Sequence, residues 1–205
     1  MKRWFTALLV LPVVGFGLQA CGPKYKDQPD CGFVKNVYGE RISWKTDGPV
    51  DIYLHESVPA EMIPGIQAAI QVWEQAIGRP VLRIAGYNVS GPIAPRQDGA
   101  NVIYWMDTWE ADKPAEQART SVYWVGDRIR EADIRINAKN FSFYLDIPTS
   151  YKDVHLESLV VHELGHVLGL KHKDDTVSVM ATYLSSQTMR TKLSDVDKQN
   201  IKCEY

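Results

Sequence analysis

The stretch from His162 to His172 reads HELGHVLGLKH and holds three of the five histidines in the chain. His162 and His166 are four residues apart, so on a helix both rings project from one face, about one turn from each other. A third histidine six residues later cannot reach the same point if the helix simply continues. Glycine readily takes the left-handed conformation that ends a helix, and Gly169 stands where the chain must turn. The stretch therefore predicts a helix, a sharp turn and a return segment that carries His172.

This pattern predicts a metal centre. Two imidazoles at i and i+4 can share one zinc ion, and His172 would complete a set of three ligands. The fourth position then stays open for water, which distinguishes a catalytic zinc from a structural one. Glu163 follows the first ligand directly and can accept a proton from a bound water without being a ligand itself. A lone histidine is more often an ordinary surface or core residue, but that alternative does not account for the whole pattern.

The rest of the chain predicts an α+β fold. β-branched and aromatic residues predict strands at 50–55, 81–87, 101–105, 118–125 and 128–137. The last two flank Gly126 and Asp127, which favours an antiparallel pair at a sheet edge. Apolar residues at helical spacing from Ile63 to Ile77 predict a helix that ends at Gly78. Two further helices are predicted, from about Asp153 to Leu170 and from about Ser194 to Cys203, the last with a capping box at its start.

The N-terminal residues read as a targeting signal. Lys2 and Arg3 precede an uncharged run to Ala20 that is shorter than a membrane span, so residues 1–20 are predicted to be a secretory signal peptide. The stretch LQAC, from Leu18 to Cys21, resembles a bacterial lipobox and implies lipidation of Cys21. Ordinary cleavage near Ala20 is the alternative. Because Gly22 follows, we expect an anchor in the outer membrane of the bacterial envelope and not in the inner one.

Composition narrows the partners and the domain plan. The 25 acidic residues slightly exceed the 23 basic ones and no basic block occurs, which argues against nucleic acid. We expect a monomer with residues 21–44 as tether and domain lead-in, followed by one domain over residues 45–205. If Cys21 carries lipid, Cys31 and Cys203 remain as a pair in an oxidising compartment, where a disulfide is expected.

These motifs resemble a known family. HELGHVLGLKH matches the metzincin zinc-protease motif HExxHxxGxxH at every fixed position, and Met180 looks like the Met-turn methionine of the matrixin branch. The C-terminal stretch 193–205 is also similar to the last helix of matrixins. The resemblance covers roughly residues 45–205 and implies a metzincin-like domain, in which a twisted mixed sheet accompanies the active-site helix and a C-terminal helix. It also implies one catalytic Zn²⁺, with Met180 as an apolar floor below it.

The departures from the family pattern restrict what can be transferred. Ala181 and Thr182 replace the Tyr-Pro that follows many Met-turns, so the substrate preference is not carried over. The family's second, structural zinc needs histidines that this chain lacks, since only His55 and His155 remain. Acidic residues over 107–116 offer ligands to calcium, although a solvated loop is the favoured interpretation.

The sequence therefore predicts a zinc-dependent endopeptidase that hydrolyses protein or peptide substrates with Glu163 as general base and acid. Extended substrate is expected to pair with strand 118–125, as matrixin-like proteins suggest. Two alternatives stay open: a catalytically silent lipoprotein that acts as a binding or adhesion module, and a zinc hydrolase of a non-peptide amide.

Cys31 also has a competing interpretation. The stretch PDCGFV faintly resembles the matrixin cysteine switch, in which a thiolate binds the open zinc position. The arginine and second proline of the switch are missing, and Cys203 would be left unpaired. The disulfide is therefore favoured over the switch and over two free thiols.

Overall fold

The computed structural model describes residues 28–205. Its helices and strands are, in chain order, β1 (Val50–His55), α1 (Ile63–Ile77), β2 (Leu82–Val89), β3 (Val102–Met106), β4 (Ala118–Val125), β5 (Arg128–Asn137), β6 (Phe143–Tyr144), β7 (Val154–His155), α2 (Leu156–Val167) and α3 (Asp195–Ile201). A short 3-10 helix, Ala60–Met62, leads into α1. Within the described residues, none of the helices has the length and apolar character needed to cross a membrane.

A mixed five-stranded sheet organises these elements. Its strand order is β2-β1-β3-β5-β4. The strands β2, β1, β3 and β5 pair with one another in parallel, and the last strand, β4, runs antiparallel to β5. Among the strands of residues 28–205, β4 pairs with β5 alone, so its other side is an edge of the sheet, as the sequence predicted. The α+β class and the mixed sheet are confirmed.

Helices α1 and α2 pack against each other and enclose the core with the sheet. α1 begins with proline in its first turn and ends at Gly78, whose φ of 86° lies in the left-handed region. Its buried face includes Trp73, which donates its indole N–H to the carbonyl of Val161 in α2 at 2.9 Å. This bond fixes the depth at which α2 sits, because a buried indole N–H needs a partner.

Two helices are shorter than the sequence predicted. The chain from Val154 to His155 forms a strand with β6, so α2 begins at Leu156 and not near Asp153. The His155 ring accepts a hydrogen bond from the backbone N–H of Ser158 and caps the helix. α3 begins after Ser194, where the predicted capping box with Asp197 is present on both sides. Strands of only two residues, such as β6 and β7, are too short to give a periodic pattern in the sequence.

The described part of the predicted lead-in, residues 28–44, packs closely on the domain. Phe33, Ile42 and Trp44 are buried in its core. Val34 donates its backbone N–H to the carbonyl of Gly169 at 2.9 Å, just beyond α2. This segment therefore supports the turn that follows α2. The predicted signal peptide, residues 1–20, and Cys21 lie outside the described residues.

A disulfide joins this segment to the C-terminal end of the chain. Cys31 and Cys203 are bonded, with their Cα atoms 6.4 Å apart and a sequence separation of 172 residues. Beside it, Arg41 donates from Nε to Glu204 Oε1 at 2.6 Å. With its sulfur in this bond, Cys31 is not available as a switch thiolate.

We predict that reduction of the Cys31–Cys203 disulfide destabilises the fold. In the chain-entropy model, closure of so long a loop stabilises the native state by up to ~5 kcal/mol, which strain reduces. Melting should occur at a lower temperature with reductant than without it. A Cys31→Ser, Cys203→Ser double variant is the control, because its melting temperature should not respond to reductant. Alkylation of both cysteines without reductant would show that the bond is absent.

Candidate metal centre

Helix α2 places three of the predicted site residues. His162 and His166 lie one turn apart on its exposed side, and both rings are half-buried. Glu163, the next residue after His162, is rotated toward strand β4 and is only 4% exposed. The helix thus places these side chains in two environments: the two imidazoles are partly exposed to solvent, and the carboxylate is buried between α2 and β4.

Gly169 ends the helix in the way the sequence suggested. Its φ is 99°, and two hydrogen bonds, from Gly169 N to His166 O and from Leu170 N to Gly165 O, form a Schellman motif. A Cβ at this position would lie 2.2 Å from the carbonyl oxygen of Ile42. Two independent constraints therefore require glycine at position 169: the left-handed backbone conformation and the close approach of the Ile42 carbonyl.

The return segment that carries His172 is held on both sides. Lys171 donates its backbone N–H to Gly32 O, and Lys173 donates its own to Met180 O, each at 2.9 Å. The first bond reaches the N-terminal segment and the second reaches the segment after the turn. His172 is therefore fixed between two pieces of chain that are distant in sequence.

The three imidazoles converge. His162 Nε2 lies 3.1 Å from His166 Nε2 and 3.2 Å from His172 Nε2. Two ligands of a tetrahedral ion that each lie ~2.0–2.1 Å from it are about 3.3 Å apart, so these separations fit one zinc ion. Among residues 28–205, this is the one group of three or more His, Cys, Asp or Glu side chains whose donor atoms come close enough to share an ion.

Backbone carbonyls orient two of the rings. His162 Nδ1 is 2.8 Å from Val179 O, and His166 Nδ1 is 2.8 Å from Leu170 O. A carbonyl accepts only, so each Nδ1 carries the proton and each Nε2 keeps its lone pair for a metal. Burial also lowers the pKa of both histidines to about 4, which keeps them neutral at pH 7.

The segment after His172 supports the site from below. Met180 is buried, and a Cβ on Gly165 would lie 2.2 Å from its sulfur. The glycine in the middle of HELGH is therefore needed for the close packing of Met180 under α2. The family resemblance predicted this position for Met180, but no pattern in the sequence predicted a role for Gly165.

Asp197 connects helix α3 to the three-histidine group. Its carboxylate accepts hydrogen bonds from the hydroxyl of Ser178 at 2.5 Å and from the backbone N–H of Val179 at 3.1 Å. The carbonyl of Val179 is the one that orients His162. Asp197, which the sequence predicted only as part of a helix cap, thus fixes the His162 ring through Val179.

Glu163 has a partner that the sequence did not reveal. The Thr120 hydroxyl on β4 lies 2.5 Å from Glu163 Oε2. Burial raises the pKa of Glu163, and the nearby His166 ring and the Thr120 hydrogen bond act against that rise. Strand alternation indicates the face on which Thr120 lies, but no pattern indicates which helical residue it meets.

The site lies in the middle of an open cleft. A cavity of about 370 Å³ extends along β4 toward Val122 and Trp124, and another of about 250 Å³ extends past Leu159 toward Tyr183. Both are lined by Glu163 and His172. The cleft therefore passes the imidazoles on two sides and runs beside the edge strand.

The two remaining histidines and the acidic loop lie outside this group. His55 is hydrogen-bonded through its two ring nitrogens to Ser57 Oγ and Gly91 O, and His155 likewise to Ser158 Oγ and Leu145 O. In the acidic loop over 107–116, the carboxylates of Glu110 and Glu116 are paired with arginines. These carboxylates serve an ion-pair network, and nothing in their arrangement supports calcium.

Three imidazoles converge beside a buried carboxylate and next to an open sheet edge, within an α+β domain. These are the features of a metalloprotease. The matrixin family model matches residues 32–205. The chain therefore belongs to the matrixin family, which consists of peptidases and normally binds zinc. No curated protein sequence matches the chain significantly.

We predict that the metal-free protein loses stability as the pH falls from about 6.5 to about 4. The folded-state pKa of His162 and of His166 is depressed to about 4, whereas an unfolded histidine titrates near 6.5. The unfolded state binds more protons than the folded state between these pH values. Each histidine therefore lowers the free energy of unfolding by up to ~1.4 kcal/mol for each pH unit of acidification. Asp133 and Glu163 act in the opposite direction, because burial raises the pKa of both carboxyls, that of Asp133 to about 6.

Urea unfolding with a chelator, from pH 7 to pH 4, measures this effect. The control variant His166→Gln retains Asp133 and removes one of the two depressed histidines. Its stability should decline less steeply with falling pH than that of the unchanged protein. Parallel curves for the two proteins would contradict the prediction.

Proposed function

We propose that this protein is a zinc-dependent endopeptidase in which Glu163 is the general base and acid. The observation that carries the proposal is the position of Glu163: a buried carboxylate beside three converging imidazoles, in the middle of an open cleft. A binding module has no need of a base at this point. The matrixin membership supports peptidase activity at the general level.

His162, His166 and His172 would hold the zinc through Nε2. When bound, zinc polarises the scissile carbonyl and lowers the pKa of its water toward about 7. Glu163 accepts the proton of the attacking water and then delivers it to the leaving amine. Its burial excludes bulk water from the carboxylate, and the hydrogen bond from Thr120 holds one of its oxygens.

The shape of the cleft favours cleavage within a chain. From Ala118 to Trp124, β4 provides an edge about 20 Å long at ~3.3 Å per residue. No other strand in the described part of the chain pairs with its outer side. An extended peptide can add to such an edge through main-chain hydrogen bonds. Because the cavities continue on both sides of Glu163, substrate residues can lie both before and after the scissile bond.

We also propose that the enzyme works close to a membrane through a lipid on Cys21. The LQAC stretch motivates this proposal, together with the short distance from Cys21 to the domain. Gln28 is already bonded to the domain, since its backbone N–H donates to Gly39 O at 3.1 Å. The seven residue steps from Cys21 to Gln28 can span at most ~25 Å at ~3.3–3.6 Å per residue. A lipid at Cys21 would therefore keep the cleft near the bilayer and exclude distant substrates.

The test of the proposed activity is a digest of peptides blocked at both termini, with and without a chelator. We predict that Glu163→Gln retains zinc and loses ~10²–10⁴-fold in turnover, because the amide keeps the shape but cannot accept the proton. Metal analysis and cleavage are measured on the same sample. Glu157→Gln makes the same change on the same helix outside the cleft and should leave turnover unaltered.

Wild-type turnover by Glu163→Gln would rule out this base. Absence of cleavage by the zinc-loaded wild-type protein across a broad peptide library would favour the binding-module alternative. Cleavage of blocked peptides only near their ends would contradict the endopeptidase proposal.

We predict that Cys21→Ser releases the protein from the membrane fraction or stops its processing. The serine cannot form the thioether to lipid, so the anchor is lost while residues 28–205 are unchanged. Fractionation and mass spectrometry of the mature N-terminus measure both effects. An unmodified N-terminus at another residue in the wild-type protein would show that the anchor proposal is wrong.

A further inference from the structure

Thr120 is the point at which the edge strand contacts the proposed base. Its hydroxyl lies 2.5 Å from Glu163 Oε2 and 3.3 Å from the backbone carbonyl oxygen of Glu163. Thr120 is half-buried in β4 and lines the same cavity as Glu163. The contact therefore lies within the cleft and not on the outer surface of the sheet.

The geometry divides the two carboxylate oxygens of Glu163 between two tasks. Within residues 28–205, the hydroxyl of Thr120 is the one group that donates a hydrogen bond to this carboxylate. A hydroxyl has a single proton to donate, so it can hold Oε2 and leaves Oε1 free. Glutamate has three rotatable side-chain bonds, and a fixed oxygen removes the rotations that would turn Oε1 away from the cleft.

We propose that Thr120 is a positioning residue that holds the Glu163 carboxylate in the orientation required for proton transfer. The inference rests on the proposed function, because it assigns a second residue to the same base. The general reason is that catalytic groups lose rate when their orientation is left loose by as little as 1 Å. Thr120 does not exchange a proton with substrate in this proposal.

A structural role is the competing explanation, since the same hydrogen bond ties β4 to α2. A structural tie would affect stability, zinc binding and substrate binding together. A positioning role affects turnover alone. The two roles are therefore separated by kcat, KM, bound zinc and melting temperature measured on each variant.

The test uses two pairs of variants that differ mainly in the hydroxyl: wild type against Thr120→Val, and Thr120→Ser against Thr120→Ala. We predict that kcat falls about 10- to 100-fold in the Val and Ala variants, because misplacement of a catalytic group by about 1 Å can cost up to ~10²-fold. The Ser variant should keep kcat near that of wild type. KM should stay within about two-fold, and each variant should bind one zinc per chain with unaltered affinity.

Thr191→Val is the matched control. Thr191 is half-buried in the loop before α3 and lies outside the cleft, so the same loss of a hydroxyl there should change neither kcat nor KM. If Thr120→Val does not fold, the Ser and Ala pair decides the question.

Equal kcat within both pairs would overturn the proposal, and so would a rise in KM or a loss of zinc affinity in place of a fall in kcat. Glu163→Gln separates this failure from that of the proposed function. If Glu163→Gln is inactive and Thr120→Val is fully active, only the role of Thr120 is wrong. If Glu163→Gln is fully active, Glu163 is not the base, and the role of Thr120 fails with it.

Discussion

A third imidazole reaches His162 and His166 because the chain reverses at Gly169, and much of the fold serves to hold that reversal. The Schellman hydrogen bonds use the carbonyls of Gly165 and His166. Two carbonyls beyond them, at Val167 and Leu168, accept from the Trp44 indole at 2.9 Å and from the Tyr205 hydroxyl at 2.8 Å. Carbonyls at a helix end have no partners within the helix, so buried ones need external donors. Here the donors come from opposite ends of the described chain.

The disulfide and the three converging histidines are linked through this turn. Cys31 lies next to Gly32, whose carbonyl accepts from Lys171, and Cys203 lies two residues before Tyr205. The covalent bond therefore joins the two segments that support the end of α2. α3 contributes again through Asp197, which fixes the segment that orients His162. Elements without a chemical role in the site thus determine where its imidazoles lie.

The sequence predicted these features unequally, for physical reasons. The ligand helix, the turn at Gly169 and the edge strand follow from local rules: helical spacing, the conformational freedom of glycine and strand alternation. The contacts of Thr120 with Glu163 and of Gly165 with Met180 depend on how a strand and a loop meet a helix, which no local pattern encodes. The predicted α2 began a few residues too early. The pairing of strand β7 and the His155 cap override helical periodicity at the start of this helix. Local chemistry thus predicted the three histidines as candidate ligands, whereas the contacts that support them depend on the tertiary fold.

Burial acts on the two kinds of side chain in this centre in complementary ways. It lowers the pKa of His162 and His166 by disfavouring the imidazolium, so both rings are neutral and able to bind a metal at neutral pH. The same burial raises the pKa of Glu163 by disfavouring the carboxylate. A divalent cation held by the imidazoles favours the carboxylate again, because opposite charges attract strongly where water is excluded. The charge of the proposed base therefore depends on the occupancy of the ligands beside it, and the neutral Thr120 hydroxyl can orient that base without adding a charge of its own.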